Sequence, residues 1–321
     1  MANGEAGGRG CFKTGCLVVL GCFGLFVMVV TLVVGLAWMK ASSSKPESQV
    51  LTQPVPETPA PQPTTGAPAT PPSGVAATAE NVGRVVLDLA DAEIRIEPGP
   101  PGQPIRIEAS YDKSTSTLEE NFEPGGEGPW TYTVTFRRTG GMGFFTRMFE
   151  GFAGKAPKVH VFLPPDVPLD LDFNLSQGES VVRLGGLWLT NANVEFSQGG
   201  IDLSIDQPLK EPIEHLAIKG SMGGGNFQGL GNASPRQLEV DFSMGGMALD
   251  LRGQWVRDAD IRIQSKMGGA GVRLPTNVVI EGLEHTKGVN LTPSTPQGSK
   301  EIPIPVLRFS VSSAMGEVEF R

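Results

Sequence analysis

Short stretches in which apolar and polar residues alternate strictly fill the second half of the chain. In one of them Leu238, Val240 and Phe242 take one face, and Glu239 and Asp241 take the other. Side chains of a β-strand alternate between two faces, so this period of two predicts half-buried strands rather than helices. The same alternation recurs at 194–196, 201–205, 247–251, 261–263, 272–274, 309–311 and 318–320.

A turn phrase, most often Ser-Met-Gly or Ser-Gln-Gly, separates these stretches. Its glycines are Gly178, Gly199, Gly223, Gly245, Gly268 and Gly316, and successive ones lie 21, 24, 22, 23 and 48 residues apart. A period of roughly 20–30 residues is typical of one coil of a solenoid. We interpret the last interval as two periods, with a degenerate copy near Gly288. In four copies a second glycine follows, and we expect each Gly-Gly pair to supply the backbone freedom of a tight corner.

These patterns predict an all-β, stacked-strand, β-solenoid-like domain over residues 81–321, with coils of about 23 residues. Its part at 81–165 has longer and less regular strands, and its part at 166–321 holds the regular repeats. The six glycines are then structural repeat corners rather than members of a chemical site.

Stacking of the repeats predicts that Met222, Met244 and Met267 form a column. We favour soft apolar filler beneath the corner as their role, and the alternative is a thioether site for a soft metal such as Cu(I). A calcium site is rejected, because calcium-binding rolls repeat every nine residues. In addition, the position of Asp250 is taken by Arg273 in the next copy.

The N-terminal region predicts a membrane anchor and a spacer. Residues 16–39 carry no charge over 24 positions, which is long enough for a transmembrane helix, preceded by a cytoplasmic tail at 1–15. Residues 40–80 are rich in Pro and Thr and predict a disordered linker. All three cysteines lie at or before Cys22. We therefore expect a signal anchor with a cytoplasmic N-terminus and a periplasmic or extracellular C-terminal domain.

One segment departs from the strand pattern. Its apolar residues share a face at helical spacing, and they are Phe144, Phe145, Met148, Phe149 and Phe152. One interpretation is an insert that caps or flanks the repeats. The other is an exposed contact for a partner or a membrane.

Composition and charge exclude several function classes. The net charge is −8, with 34 acidic against 26 basic residues and no basic patch, which argues against nucleic acid as a partner. The three histidines, His160, His215 and His285, are far apart, and no nucleophile has an evident oriented base. We expect no enzyme activity, no cofactor and no metal.

The repeats resemble two related bacterial groups. Residues 171–178 and 196–203 resemble the putative-adhesin β-repeat family, whose members are often membrane anchored. Residues 244–251 and 267–275 look like the C-terminal domain of the cell-wall-active antibiotic response regulators. The resemblance implies a membrane-anchored binding or adhesion scaffold at the bacterial cell envelope, with a protein or envelope partner. The alternative is an envelope-stress sensor or regulator that works through a membrane partner.

Overall fold

The computed structural model describes residues 47–52, 82–125, 129–139, 156–283 and 304–321, which belong to one compact unit. The expected all-β class is confirmed, since one sheet contains all sixteen strands of this part of the chain. The strands are β1 (Glu47–Thr52), β2 (Gly83–Ala90), β3 (Glu93–Pro98), β4 (Arg106–Tyr111), β5 (Ser116–Glu123), β6 (Thr131–Arg138), β7 (Lys158–Leu163), β8 (Leu169–Ser176), β9 (Glu179–Arg183), β10 (Leu189–Ser197), β11 (Gly199–Ser204), β12 (His215–Gln228), β13 (Gln237–Asp250), β14 (Ala259–Arg273), β15 (Val279–Glu281) and β16 (Val306–Phe320).

The strands form two rows that meet at the turn phrase. The first row runs β5-β6-β2-β8-β10, and the second runs β1-β4-β7-β3-β9-β11. Both rows join β12, whose N-terminal half pairs with β10 and whose C-terminal half pairs with β11. β13, β14 and β16 continue both rows, in parallel pairing along their whole length. The strands β12, β13, β14 and β16 thus each supply one strand segment to each row.

The core lies between the two rows, because the alternating apolar side chains of both point toward each other. Aromatic rings make contacts across the interior. Tyr111 of the second row meets Phe136 of the first edge to face, with ring centroids 5.3 Å apart. Phe309 and Phe320 lie on the two halves of β16 and pack at 6.0 Å. Because the inner surfaces of the two rows interdigitate, each row buries the apolar side chains of the other.

The glycines of the turn phrase form a corner column, defined by Gly178, Gly199, Gly223, Gly245, Gly268 and Gly316. A Cβ on each of the last five would overlap the carbonyl oxygen of the preceding glycine in the column, and a Cβ on Gly178 would overlap that of Ala92. Only glycine permits so close an approach of successive backbones. The first glycine of each pair is therefore the constrained one.

Two details of the corners differ from the sequence expectation. A Cβ added to either of the second glycines Gly200 and Gly246 would have no atom within 4 Å, so crowding does not require glycine there. The copy expected near Gly288 does not interrupt the column, because Gly268 pairs directly with Gly316. The 48-residue interval is therefore one step of the column. Gly288 itself lies outside the described residues.

The start of the domain also differs from the expectation. β1 lies inside the stretch 40–80 that we expected to be a disordered linker, yet it pairs antiparallel with β4. The hydroxyl of Tyr111 donates a hydrogen bond to Gln49 Oε1 at 2.9 Å, and Leu51 packs against the core. The open edge of β4 gives this short β-prone segment a partner that the composition of the linker does not reveal.

Several expected elements lie outside the described residues. These are the apolar segment 16–39, most of the linker and the Phe-rich segment with Phe144, Phe145, Met148, Phe149 and Phe152. Within the described ranges, no helix has the length and apolarity needed to cross a membrane.

Candidate functional site

The outward side of the first row carries a set of polar side chains that neighbouring strands bring together. We call it the polar face, and it comprises Arg84, Asp170, Asp172, Asn191, Asn193, Glu195 and Lys219. These residues come from β2, β8, β10 and β12, whose parallel register sets Asp172 opposite Asn193 and Glu195 opposite Lys219. Because the inward residues of the same strands are buried in the core, the alternation forces these side chains outward.

Asp172 is the best-connected member of the polar face. Arg84 Nη2 donates to its Oδ2 at 2.7 Å, and Asn193 Nδ2 donates to its Oδ1 at 2.8 Å. Burial alone would raise the pKa of this carboxyl, but the hydrogen bonds from Asn193 and Arg84 outweigh that effect and lower it. The carboxylate is therefore ionised and held in a fixed orientation at neutral pH.

Asp170 stands two residues earlier on the same strand and has the opposite character. Burial raises its pKa, and the one hydrogen bond it accepts, from Asn191 Nδ2, is long at 3.4 Å. A half-buried carboxylate without strong donors remains available to a hydrogen-bond donor from outside the protein. The two carboxylates therefore differ: Asp172 is occupied by internal partners, and Asp170 is poorly satisfied.

An exposed ion pair extends the polar face toward the next strand. Lys219 Nζ lies 3.1 Å from Glu195 Oε1, and this hydrogen bond is the main cause that raises the pKa of Lys219. On the second row, Asn226 Nδ2 donates to Asp202 Oδ1 at 3.1 Å in the same cross-strand manner. Cross-strand pairs of this kind hold outward side chains in one arrangement.

The polar face offers fixed donors and acceptors for recognition. Side chains that are already ordered lose less conformational entropy when a partner binds. In the described ranges no group of three or more His, Cys, Asp or Glu residues could hold a metal ion. The polar face is a surface of ordered hydrogen-bonding side chains.

The other sequence-derived candidates fall elsewhere. The corner column lies at the junction of the two rows, away from the polar face, and the Phe-rich segment lies outside the described residues. Met222, Met244 and Met267 do form a column in register, but the favoured interpretation of buried filler is wrong. Their exposed fractions are 39, 42 and 43 %, because the residue before each corner glycine points out of the core.

The sequence interpretation missed the polar face, although the repeat contains its signal. Asp172 and Asn193 each stand six residues before a corner glycine, and Glu195 and Lys219 each stand four before one. Outward residues at equal distance from successive corners become neighbours on adjacent strands. Comparing the polar positions of successive repeats would have placed these side chains together.

No family model and no curated protein matches the chain in sequence. Solved structures that are similar to it over most of their length include three described as adhesins or cell adhesion proteins.

The first is a putative cell adhesion protein from Clostridium sporogenes, at 12 % identity and a TM-score of 0.36, covering 86 % of this chain and 99 % of that one. A putative adhesin from Bacteroides fragilis has 9 % identity and a TM-score of 0.40, covering 87 and 98 %. One from Parabacteroides merdae has 9 % identity and a TM-score of 0.32, covering 87 and 97 %. At identities of 12 % or less and TM-scores of 0.40 or less, these similarities assign no function to this chain.

Proposed function

We propose that this chain is a binding scaffold at the bacterial cell envelope, which recognises a polar protein or envelope surface through its polar face. The observation that carries the proposal is the ordered cross-strand set around Asp172, where Arg84 and Asn193 fix the carboxylate at 2.7 and 2.8 Å. Such a surface suits recognition by many hydrogen bonds with little loss of side-chain entropy.

The scaffold owes its rigidity to stacking. We propose that each repeat forms one coil of a β-solenoid-like stack, with the two rows as its faces and the corner column as its seam. Support comes from the pairing of Met222 with Met244 and of Met244 with Met267, whose spacing matches the sequence period. A stack of this kind displays outward side chains as flat arrays, which is the usual basis of binding in repeat proteins.

Attachment to the membrane completes the proposal. The uncharged segment 16–39 acts as the anchor, and residues 1–15 stay in the cytoplasm. Because β1 belongs to the domain, residues 40–46 join the anchor to the domain, and the Pro-rich stretch after β1 leads to β2. The domain then faces the periplasm or the exterior. The supporting observation is the charge-free length of 24 residues, which is sufficient to cross a hydrocarbon core.

A pull-down from a solubilised envelope fraction tests the polar face. The test variant combines Glu195→Ala with Lys219→Ala, which removes one exposed pair that lies 3.1 Å apart. The matched control combines Glu93→Ala with Lys158→Ala, a Glu–Lys pair at 2.7 Å that lies outside the polar face. Exposed ion pairs contribute little to stability, so both variants fold.

We expect the test variant to lose at least about tenfold in affinity for the captured partner, as for loss of an interface hot spot. The control variant should bind as the unchanged chain does. Equal capture by all three chains would refute the polar face as the recognition surface. Loss of every partner on removal of residues 1–45 would instead favour a regulator that acts through a membrane protein.

A further inference from the structure

A line of methionine side chains stands on the outside of the corner column. Met222, Met244, Met267 and Met315 each precede a corner glycine, and parallel pairing places them side by side on β12, β13, β14 and β16. Their exposed fractions are 39, 42, 43 and 67 %. Methionine belongs to the residue types that are most often buried. Core packing therefore does not explain four exposed copies in one line.

The spacing brings neighbouring thioethers within reach of one another. Adjacent strands lie about 4.8 Å apart, so neighbouring methionines of the column begin at that separation. Each side chain has three rotatable bonds and adapts its shape readily. Three neighbouring sulfur atoms can therefore converge over the middle strand. The next residue on every one of these strands is glycine, so no side chain there obstructs the sulfur atoms.

The chemistry of the donors selects the ligand. Thioether sulfur is a soft, uncharged donor that selects Cu(I), whereas Mg²⁺, Ca²⁺ and Mn²⁺ prefer oxygen ligands. Lys266 and Glu317 are the charged residues that flank the column in sequence, and their charges cancel. We propose that Met222, Met244, Met267 and Met315 form a surface site that binds a soft monovalent metal ion, Cu(I), through three adjacent thioether sulfurs. Binding involves no change of oxidation state.

The column contains its own control. Met247 lies on β13, three residues after Met244, but its exposed fraction is only 6 %. It presents the same thioether to the core rather than to solvent. A Met→Leu change conserves volume, so it removes sulfur from either position without a large change in packing.

Silver(I) is a redox-stable probe for such a site. The full chain in detergent is labelled with ¹³C at the methionine methyl groups, and Cys11, Cys16 and Cys22 are replaced by serine in all samples so that thiolates do not compete. We expect one equivalent of silver nitrate to shift the methyl signals of at least three column methionines, Met244 and Met267 among them, and to leave that of Met247 in place. Met244→Leu with Met267→Leu should weaken the affinity at least about 100-fold, because loss of outer-shell partners alone costs about 10–100-fold. Met247→Leu should leave the affinity unchanged.

Any of three results would overturn the site. The first is that the methyl signals of Met244 and Met267 stay in place at one equivalent of silver. The second is that the Met244→Leu, Met267→Leu chain binds as tightly as its parent, and the third is that Met247→Leu weakens binding equally. Identical thermal unfolding of the three chains shows that the comparison reports ligands rather than folding.

Discussion

Gly245→Ala probes the close approach of backbones in the corner column. Gly245 has a φ of +125°, which L side chains rarely adopt, and an added Cβ would overlap the carbonyl oxygen of Gly223. The strained backbone costs about 1–3 kcal/mol, and the overpacked contact costs about 1–3 kcal/mol more. The free energy of unfolding should therefore fall by about 2–6 kcal/mol. For a domain of this size, that lowers the Tm by roughly 5–20 °C.

The neighbouring residue provides a matched control. Gly246 is also a glycine and lies on the same strand, but no atom is within 4 Å of a Cβ placed there. Gly246→Ala should change the free energy of unfolding by no more than about 0.5 kcal/mol. Thermal and urea unfolding, followed by circular dichroism, measures both variants. Equal Tm values for Gly245→Ala and Gly246→Ala would refute the crowded column, as would a larger loss for Gly246→Ala.

Three further outcomes follow from particular contacts. Because the folded state lowers the pKa of Asp172, its ionised form contributes stability above the unfolded pKa, and this contribution is lost as the pH falls through the folded pKa. Asp172→Asn should therefore lower the Tm by a few degrees at pH 7 and by less at low pH. Asp170→Asn should keep or raise the Tm at pH 7, because burial disfavours the ionised form of Asp170. A larger loss of Tm at pH 7 for Asp170→Asn than for Asp172→Asn would contradict the assigned roles. Removal of residues 1–52 should lower the Tm by a few degrees relative to removal of residues 1–45, since only the first deletion takes away β1 and its pairing with β4; equal Tm values would mean that β1 adds nothing. Gly246→Cys, in a chain whose native cysteines are serine, should react with an impermeant maleimide on spheroplasts, and labelling only after lysis would overturn the external position of the domain.

The strands were predictable because their period of two is local. In β13 the buried positions of Leu238, Val240 and Phe242 follow the alternation seen in the sequence. The corner glycines were also visible, since a repeat aligns them. The sequence did not show which glycine of each pair is required, because the crowding of Gly245 and the open space around Gly246 depend on the neighbouring strand.

The path between repeats depends on partners distant in sequence. The 48-residue interval suggested an intervening copy, but Gly268 pairs directly with Gly316, and no local pattern distinguishes the two cases. Likewise, β1 forms because the edge of β4 is available, which composition of the linker does not report.

Part of the polar face could have been predicted from the sequence. The polar residues that repeat in phase, such as Asp172 with Asn193, could have been placed on adjacent strands from the corner spacing alone. The hydrogen bonds could not have been predicted in this way. Arg84 and Asp172 are 88 positions apart in sequence, and only the pairing of β2 with β8 brings them together. Differences in burial between Asp170 and Asp172 likewise emerge only from packing.

Site-specific photo-crosslinking in cells that produce the chain tests the central proposal, recognition through the polar face, most directly. A benzophenone side chain replaces Asn174, an exposed residue opposite Glu195, and in the control replaces Val256, which is 54 % exposed in the loop between β13 and β14. Recognition through the polar face predicts a discrete crosslinked product at residue 174 that Glu195→Ala with Lys219→Ala abolishes, and none at residue 256. Absence of a product at residue 174, or the same product at both positions, would contradict it.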